Sequence, residues 1–282
     1  TNGSVSGWTD TTVNVSRLNA HPKYDVRYGL EINVPTGKAK MYNNAVVADD
    51  LARFTRFGEG WNWTPELTIT RHLSEEDSLQ LLSSYSLRGN YEYSMDTPDA
   101  KIYPGNVWTE DLSYLHAGAN EKFLARVFFV NTGKTRENDL SYREVNDFGV
   151  EGYYQKKLTA QNALETYLGM DYTGATSYDT GLSEPNSGVH RQYFGIGLEH
   201  KLTAKRTLRV MGNYMRSDGY TYNPLRNTYS YNRHKLSLLL GYDQSLNEKE
   251  NIAVYLERYR LYGENETNYH GWGMNIYFSR SL

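Results

Sequence analysis

Five short polar turns recur along the chain at near-regular intervals: Ser74-Glu75-Glu76-Asp77, Ala119-Asn120-Glu121-Lys122, Thr159-Ala160-Gln161-Asn162, Thr203-Ala204-Lys205-Arg206 and Asn247-Glu248-Lys249-Glu250. They separate blocks of roughly 40 residues, each holding two segments of alternating apolar and polar residues joined by a longer polar connection. A rhythm of short turn, strand, long loop, strand is the pattern of a transmembrane β-barrel, whose strands alternate lipid-facing and lumen-facing side chains.

The alternation is clearest in three places. In 78–93, Leu79, Leu81, Ser83, Tyr85, Leu87, Gly89, Tyr91 and Tyr93 share one parity, while Ser78, Gln80, Leu82, Ser84, Ser86, Arg88, Asn90 and Glu92 share the other. In 207–216, Leu208, Val210 and Tyr214 oppose Arg209, Met211, Asn213 and Met215. In 234–244, Leu236, Leu238, Leu240 and Tyr242 oppose Lys235, Ser237, Leu239 and Asp243. A soluble sandwich also alternates, so length discriminates. These runs persist for about 10 to 14 residues, whereas sandwich strands average about 5 to 6 and a tilted membrane-crossing strand needs about 9 to 11.

Composition agrees. Mean hydropathy is −0.71, and no apolar run approaches the roughly 18 residues of a membrane helix. Yet aromatic residues make up 14% of the chain, with 26 tyrosines, far too many for a disordered protein and suited to membrane interfaces. There is no cysteine, hence no disulfide framework, thiolate metal site or lipid-attachment cysteine. A net charge of −3 offers no basic field for nucleic acid. The chain begins at Thr1 without a charged-then-apolar leader, so a signal peptide is expected to have been removed or to lie upstream.

Thirteen runs are read, at 8–18, 23–36, 60–72, 78–93, 105–117, 122–132, 143–157, 163–175, 190–202, 206–217, 232–244, 250–262 and 268–281. Single-chain bacterial barrels have even strand numbers. The expectation is therefore an all-β fold: a single antiparallel transmembrane β-barrel domain spanning 1–282, with about 14 strands and 12 as the alternative. Short turns would be periplasmic, long loops extracellular, and one ascending strand would be supplied before residue 8. The barrel would be closed, leaving no sheet edge unpaired. The long connections are placed at 37–59, 94–104, 133–142, 176–189, 218–231 and 263–267. The first of these holds Asp49-Asp50, a candidate calcium site, and the Arg53/Arg56 pair; it either stays in solvent or folds inward as a constriction.

The last run places Trp272, Met274, Ile276, Phe278, Arg280 and Leu282 on one face. This resembles the C-terminal assembly signal of outer-membrane barrels and implies the barrel-assembly machinery as a partner, with Leu282 standing where the pattern usually has Phe. Two further stretches, Gly7-Trp8-Thr9-Asp10-Thr11-Thr12-Val13 and Gly29-Leu30-Glu31-Ile32-Asn33-Val34-Pro35-Thr36-Gly37, resemble the opening and the first hairpin of an outer-membrane family labelled meta-pathway phenol degradation or transporter. The resemblance implies the outer membrane of a Gram-negative cell and uptake of small, including aromatic, molecules.

The face code assigns an inward set: Asp25, Arg27, Glu31, Glu66, Arg88, Glu92, Asp111, Arg126, Asp147, Glu151, Asp171, Arg191, Glu199, Lys201, Arg209, Lys235, Asp243 and Glu257. Acids outnumber bases, which would favour cations weakly in a narrow lumen. The alternative use of these charges is bracing, with Arg191 pairing Asp171 and Lys235 pairing Glu257. Arg88, Arg126, Arg191 and Arg209 would otherwise form a basic track opposite an acidic wall. Leu82, Leu124, Phe128 and Leu239 also fall inward and would narrow the lumen.

Three function classes follow. The leading one is a monomeric outer-membrane channel, in contact with outer-membrane lipid, passing small hydrophilic or amphipathic permeants by passive diffusion. Its selectivity would come from the mixed-charge lumen and the long first loop, and no cofactor is expected. The second is a membrane anchor, or the barrel of a larger export assembly working with an accessory protein. The third, an outer-membrane hydrolase, rests only on His72-Leu73-Ser74, which reads better as turn chemistry than as a Ser/His pair needing a third, orienting group.

Overall fold

Period-two alternation in every long run dictates strands with two unlike faces, and a computed structural model shows how they assemble. It describes residues 8–37, 58–93, 100–143, 146–174, 177–179, 188–219, 221–223, 228–230, 232–263 and 269–280. The described strands are β1 (Thr11–Ala20), β2 (Tyr24–Val34), β3 (Asn62–His72), β4 (Asp77–Arg88), β5 (Tyr91–Tyr93), β6 (Ala100–Tyr103), β7 (Val107–Ala117), β8 (Glu121–Thr132), β9 (Lys134–Glu137), β10 (Leu140–Arg143), β11 (Asp147–Lys157), β12 (Asn162–Thr173), β13 (Ser177–Tyr178), β14 (Val189–Thr203), β15 (Arg206–Gly219), β16 (Thr221–Asn223), β17 (Thr228–Ser230), β18 (Arg233–Ser245), β19 (Glu250–Gly263) and β20 (Tyr269–Arg280).

Thirteen of them form one antiparallel meander, in the order β1-β2-β3-β4-β7-β8-β11-β12-β14-β15-β18-β19-β20. Each of the thirteen runs overlaps one of these strands, although the run 78–93 continues past the end of β4 at Arg88 into β5 of a second sheet. At one end the connections are short, and their sequence explains why. Ser74 Oγ accepts the amides of Glu76 and Asp77 at 3.2 and 2.9 Å, Thr159 Oγ1 those of Gln161 and Asn162 at 3.2 and 3.0 Å, and Asn247 Oδ1 those of Lys249 and Glu250 at 2.8 and 3.0 Å. A Ser, Thr or Asn at the first turn position thus supplies the acceptor that reverses the chain.

At the other end the structure departs from expectation. Instead of simple loops, parts of three long connections form a second sheet in the order β13-β10-β9-β6-β5. Glycines make the break between the two sheets. A Cβ on Gly105 would overlap the carbonyl of Gly133, and one on Gly89 would overlap that of Trp61; only glycine lets these backbones approach so closely. Asn138, at φ 51°, makes the two-residue turn between β9 and β10, where left-handed geometry matches strand twist. In this sheet Lys101 and Arg136 lie 5.2 and 4.3 Å from the Tyr103 ring centroid. Hydrogen bonding from Lys101 first, then its charge and Arg136, pushes the Tyr103 phenol below its ordinary range.

Burial in the main sheet is inverted relative to a soluble protein. Among the least exposed side chains are Glu165 at 3%, Arg233 at 5%, Asp171 at 7% and Asp111 at 8%. Leu198 at 52%, Leu168 at 59% and Met274 at 65% lie open on the opposite face. Soluble monomers rarely expose a continuous apolar patch beyond a few hundred Å²; here the apolar face runs along the whole meander.

The expected closure is not present: among the described residues, no pairing joins β1 to β20, and β1 is exposed along its whole length. The reason is geometric. In an antiparallel meander of thirteen strands the first and last run in the same direction, so joining them directly would need a parallel pair.

Candidate functional site

Register places the charged residues before any side chain is considered. Glu31 faces Asn14 and Thr64, Glu66 faces Gly29 and Ser84, and Arg27 faces Leu18 and Thr68. Arg126 stands opposite Ser113 and Glu151, Asp171 opposite Gly149 and Arg191, Arg209 opposite Glu199 and Gly241, and Glu257 opposite Leu239 and Gly273. Because cross-strand neighbours share a face, these residues line one polar face together with Asp25, Arg88, Asp111, Asp147, Lys201, Lys235 and Asp243. Glu92 does not join them, since it belongs to β5 in the second sheet.

Three layers of ion pairs cross this face. Nearest the long-connection end, Arg191 Nε donates to Asp171 at 2.6 Å and Nη2 to Thr173 at 3.1 Å, and Lys235 pairs with Glu257 at 2.8 Å. In the middle, Arg126 donates through Nε to Asp111 and through Nη1 to Glu151 at 2.9 Å. Nearest the short turns, Arg209 is held among three carboxylates, those of Glu199 at 2.9 Å, Glu165 at 3.1 Å and Asp243 at 3.6 Å. The contact with Glu165 Oε2 is an ion pair outside hydrogen-bond geometry, while the other oxygen, Oε1, accepts Tyr153 Oη at 3.1 Å and Gln155 Nε2 at 3.0 Å.

The four arginines therefore do not form a basic track facing an acidic wall. Arg88 donates to Glu59 at 2.9 Å, and each of the others is interleaved with acids on adjacent strands. The pairs Arg191–Asp171 and Lys235–Glu257 form as expected. Glu165 is missing from the sequence reading, although it shares the parity of Asp171 in the same run; Arg233, also on this face, is missing as well.

Glycines on the same face seat aromatic rings. Phe128, Tyr193, Tyr167, Tyr255 and Tyr259 stand in register opposite Gly149, Gly169, Gly195, Gly241 and Gly271. A Cβ on Gly169 would come 2.5 Å from the Tyr193 ring, and one on Gly241 2.8 Å from that of Tyr255. The rings lie against the wall, and their hydroxyls reach carboxylates: Tyr193 donates to Glu151 at 2.5 Å and Tyr255 to Asp243 at 3.0 Å. Aromatic bulk thus lies along the polar face of the sheet.

His72 and Ser74 are separated in role. His72 Nε2 lies 3.1 Å from Asp25 Oδ2, while the Ser74 hydroxyl donates to Asp77 at 2.6 Å and serves the turn. Among the described residues no group of three or more His, Asp or Glu side chains is arranged to hold a metal ion. Asp49-Asp50, Arg53, Arg56 and Leu282 lie outside the described residues.

No protein-family model matches the sequence, and no curated protein matches it. Several solved structures are similar at low identity. The outer membrane channel DcaP of Acinetobacter baumannii is 12% identical, with a TM-score of 0.48 over 96% of this chain and 85% of that one. The ferric citrate transporter FecA is also 12% identical, with a TM-score of 0.47 over 88% of this chain and 41% of that one. OmpT, an outer membrane protein of Vibrio cholerae, in a form lacking loop L8, is 10% identical, with a TM-score of 0.39 over 98% and 99%.

Proposed function

We propose that the chain forms the wall of a bacterial outer-membrane β-barrel channel, passing small hydrophilic or amphipathic solutes by passive diffusion. The observation that carries this reading is the inverted burial of the main sheet. Thirteen strands, each 10 to 15 residues long, present apolar side chains outward and mixed charges on the opposite face, as a lipid-spanning wall around water requires. Short turns face the periplasm and long connections face outside, as in other barrels of this kind. Barrel closure takes a fourteenth strand between β1 and β20, antiparallel to both.

Selectivity in this reading comes from the layered ion pairs. Around Arg209 three carboxylates face one cation, leaving that layer net negative and favouring cations. The Arg126 layer, more open to water, is the part of the network a solute meets at mid-height. The first long connection adds to selectivity from the outer side. The resemblance of Gly7–Val13 and Gly29–Gly37 extends the permeant class to small aromatic molecules.

A second reading, an anchor or export-module barrel, is favoured by the two unpaired edges. Single-channel conductance of refolded protein in a planar bilayer, with reversal potential under a salt gradient, separates the two. Discrete steps with a mild cation preference are expected of the channel. Silence from folded, heat-modifiable protein would overturn it in favour of the anchor.

A further inference from the structure

The outer face carries two arginines that the channel reading does not use. On β19, Arg258 is in register with Leu238 and Trp272, and Arg260 with Leu236 and His270. One rung toward the short turns the same row reads Leu240, Leu256 and Met274, which is plain apolar belt. Arg258 and Arg260 therefore sit at the outer rim of that belt, three to five residues below the strand end at Gly263. With a rise of about 3.3 Å per residue and a tilt near 40°, that is roughly 8 to 13 Å below the end of the strand.

On the polar face Arg88, Arg126, Arg191 and Arg209 each pair with at least one carboxylate. These two do not: among the described residues neither Arg258 nor Arg260 has an acidic partner. Arg258 Nη1 donates to the Gly271 carbonyl at 3.3 Å, and its guanidinium lies 5.1 Å from the Trp272 ring centroid. The Arg260 guanidinium lies 4.7 Å from the ring of Tyr262. Both cations are thus propped on aromatic rings with donors still open. Together with His270, Leu236 and Leu238 they line an open hollow of about 400 Å³ on the outer face. Interfacial rings at this height mark the level of lipid headgroups.

We infer that this hollow binds the phosphate-bearing headgroup of an outer-leaflet lipid, with Arg258 and Arg260 holding the phosphate and Leu236, Leu238 and Trp272 taking the adjoining acyl chain. A cation in an apolar belt is costly without a counter-charge, and planar guanidinium matches phosphate oxygens in two-point contacts. A lipid supplies both the anion and the apolar tail that the flanking leucines require, whereas free phosphate supplies only the first. The inference rests on the outer-membrane reading, because it needs the long-connection end in the outer leaflet.

The test uses refolded, delipidated protein in a neutral detergent, titrated with diphosphoryl lipid A and followed by native mass spectrometry. One bound lipid is expected, with about tenfold or greater weakening in R258Q/R260Q, since two charge-assisted contacts are lost. R258K/R260K keeps the charges but loses the two-point contacts, so its affinity should fall between those of wild type and R258Q/R260Q. Inorganic phosphate at the same concentration should not compete; full competition would show an anion site with no lipid component and overturn the assignment. Heat-modifiability of each variant reports folding, and if the double variant fails to fold, the exposed single change R260Q carries the test. Equal lipid binding by wild type and folded variants overturns the lipid site alone. Failure of wild-type protein to insert into bilayers at all overturns the spanning reading beneath it.

Discussion

The carboxylate of Asp10 accepts the backbone amide of Gly37 at 2.7 Å, joining the two stretches that carry the family resemblance. Its other oxygen accepts the Glu59 amide at 2.6 Å and the Asn33 side-chain amide at 2.7 Å. Thr11 N donates to Thr36 Oγ1 at 2.8 Å beside them. One acidic side chain thus ties both feet of the first long connection to β1. Pro35 leaves the ladder without sacrificing a needed donor, and Gly37 packs so closely on Gly58 that a Cβ on Gly58 would lie 2.6 Å from the Gly37 carbonyl.

Replacing Asp10 with Ala removes the acceptor for all three donors. A loss of about 1–3 kcal/mol is expected, the cost of unsatisfied part-buried polar groups. Hydrogen exchange at the Gly37 and Glu59 amides should quicken while β18 and β19 stay protected. Unchanged exchange at both amides would show that the clamp does not hold the loop base.

Arg209 and Arg126 make a graded pair of charge deletions. Glu165 beside Arg209 has a side chain only 3% exposed, so Arg209→Gln strands a buried carboxylate at a cost of about 3–5 kcal/mol. Arg126 has a side chain 36% exposed, and water screens the loss to about 1–2 kcal/mol. Urea midpoints of the two variants should differ in that order. In R209Q, adding Glu165→Gln should recover much of the loss, because the uncompensated charge disappears; a strictly additive double variant would refute the coupling.

Gly169 sits beneath the Tyr193 ring. Gly169→Val should lift that ring from the wall, break its 2.5 Å bond to Glu151, and project the phenol into the enclosed space. The expected readout is lower single-channel conductance with folding retained. In a Tyr193→Ala background the same change should lower conductance much less, since no ring remains to displace.

These arrangements differ in how far the sequence announces them. A period of two assigns faces without ambiguity, so the polar row from Asp25 to Glu257 and the pairs Arg191–Asp171 and Lys235–Glu257 are legible as soon as strands are located. The parity that selects Glu257 also puts Arg258 and Arg260 on the outer face, and the parity of Asp171 includes Glu165. Glu92 misleads because the alternation passes unbroken through Gly89 and Asn90, where the chain leaves one sheet for another. The Arg209 cluster is legible only in part: Arg209, Glu199 and Asp243 belong to the inward set and Glu199 stands directly opposite Arg209, whereas Asp243 and Glu165 reach it on the diagonal, through strand stagger. Nor does a glycine announce the ring above it, since that ring lies on a neighbouring strand.

The unpaired edges allow a decisive geometric test. If β1 and β20 closed directly, their backbones would lie about 4.8 Å apart, within the Cα separation a disulfide spans; one intervening strand doubles that to roughly 9.6 Å, which no disulfide bridges. The chain has no cysteine, so pairs can be introduced without background. Val15→Cys on the outer row of β1, combined in turn with cysteine at Trp272, Met274, Ile276 or Phe278 on β20, samples the plausible registers. In membranes none of these pairs should form a disulfide, while a bifunctional reagent of about 10 Å should join at least one, as expected for edges two strand spacings apart. Efficient disulfide formation at any pair would mean that the wall closes on itself in parallel with thirteen strands, and that no further strand enters between them.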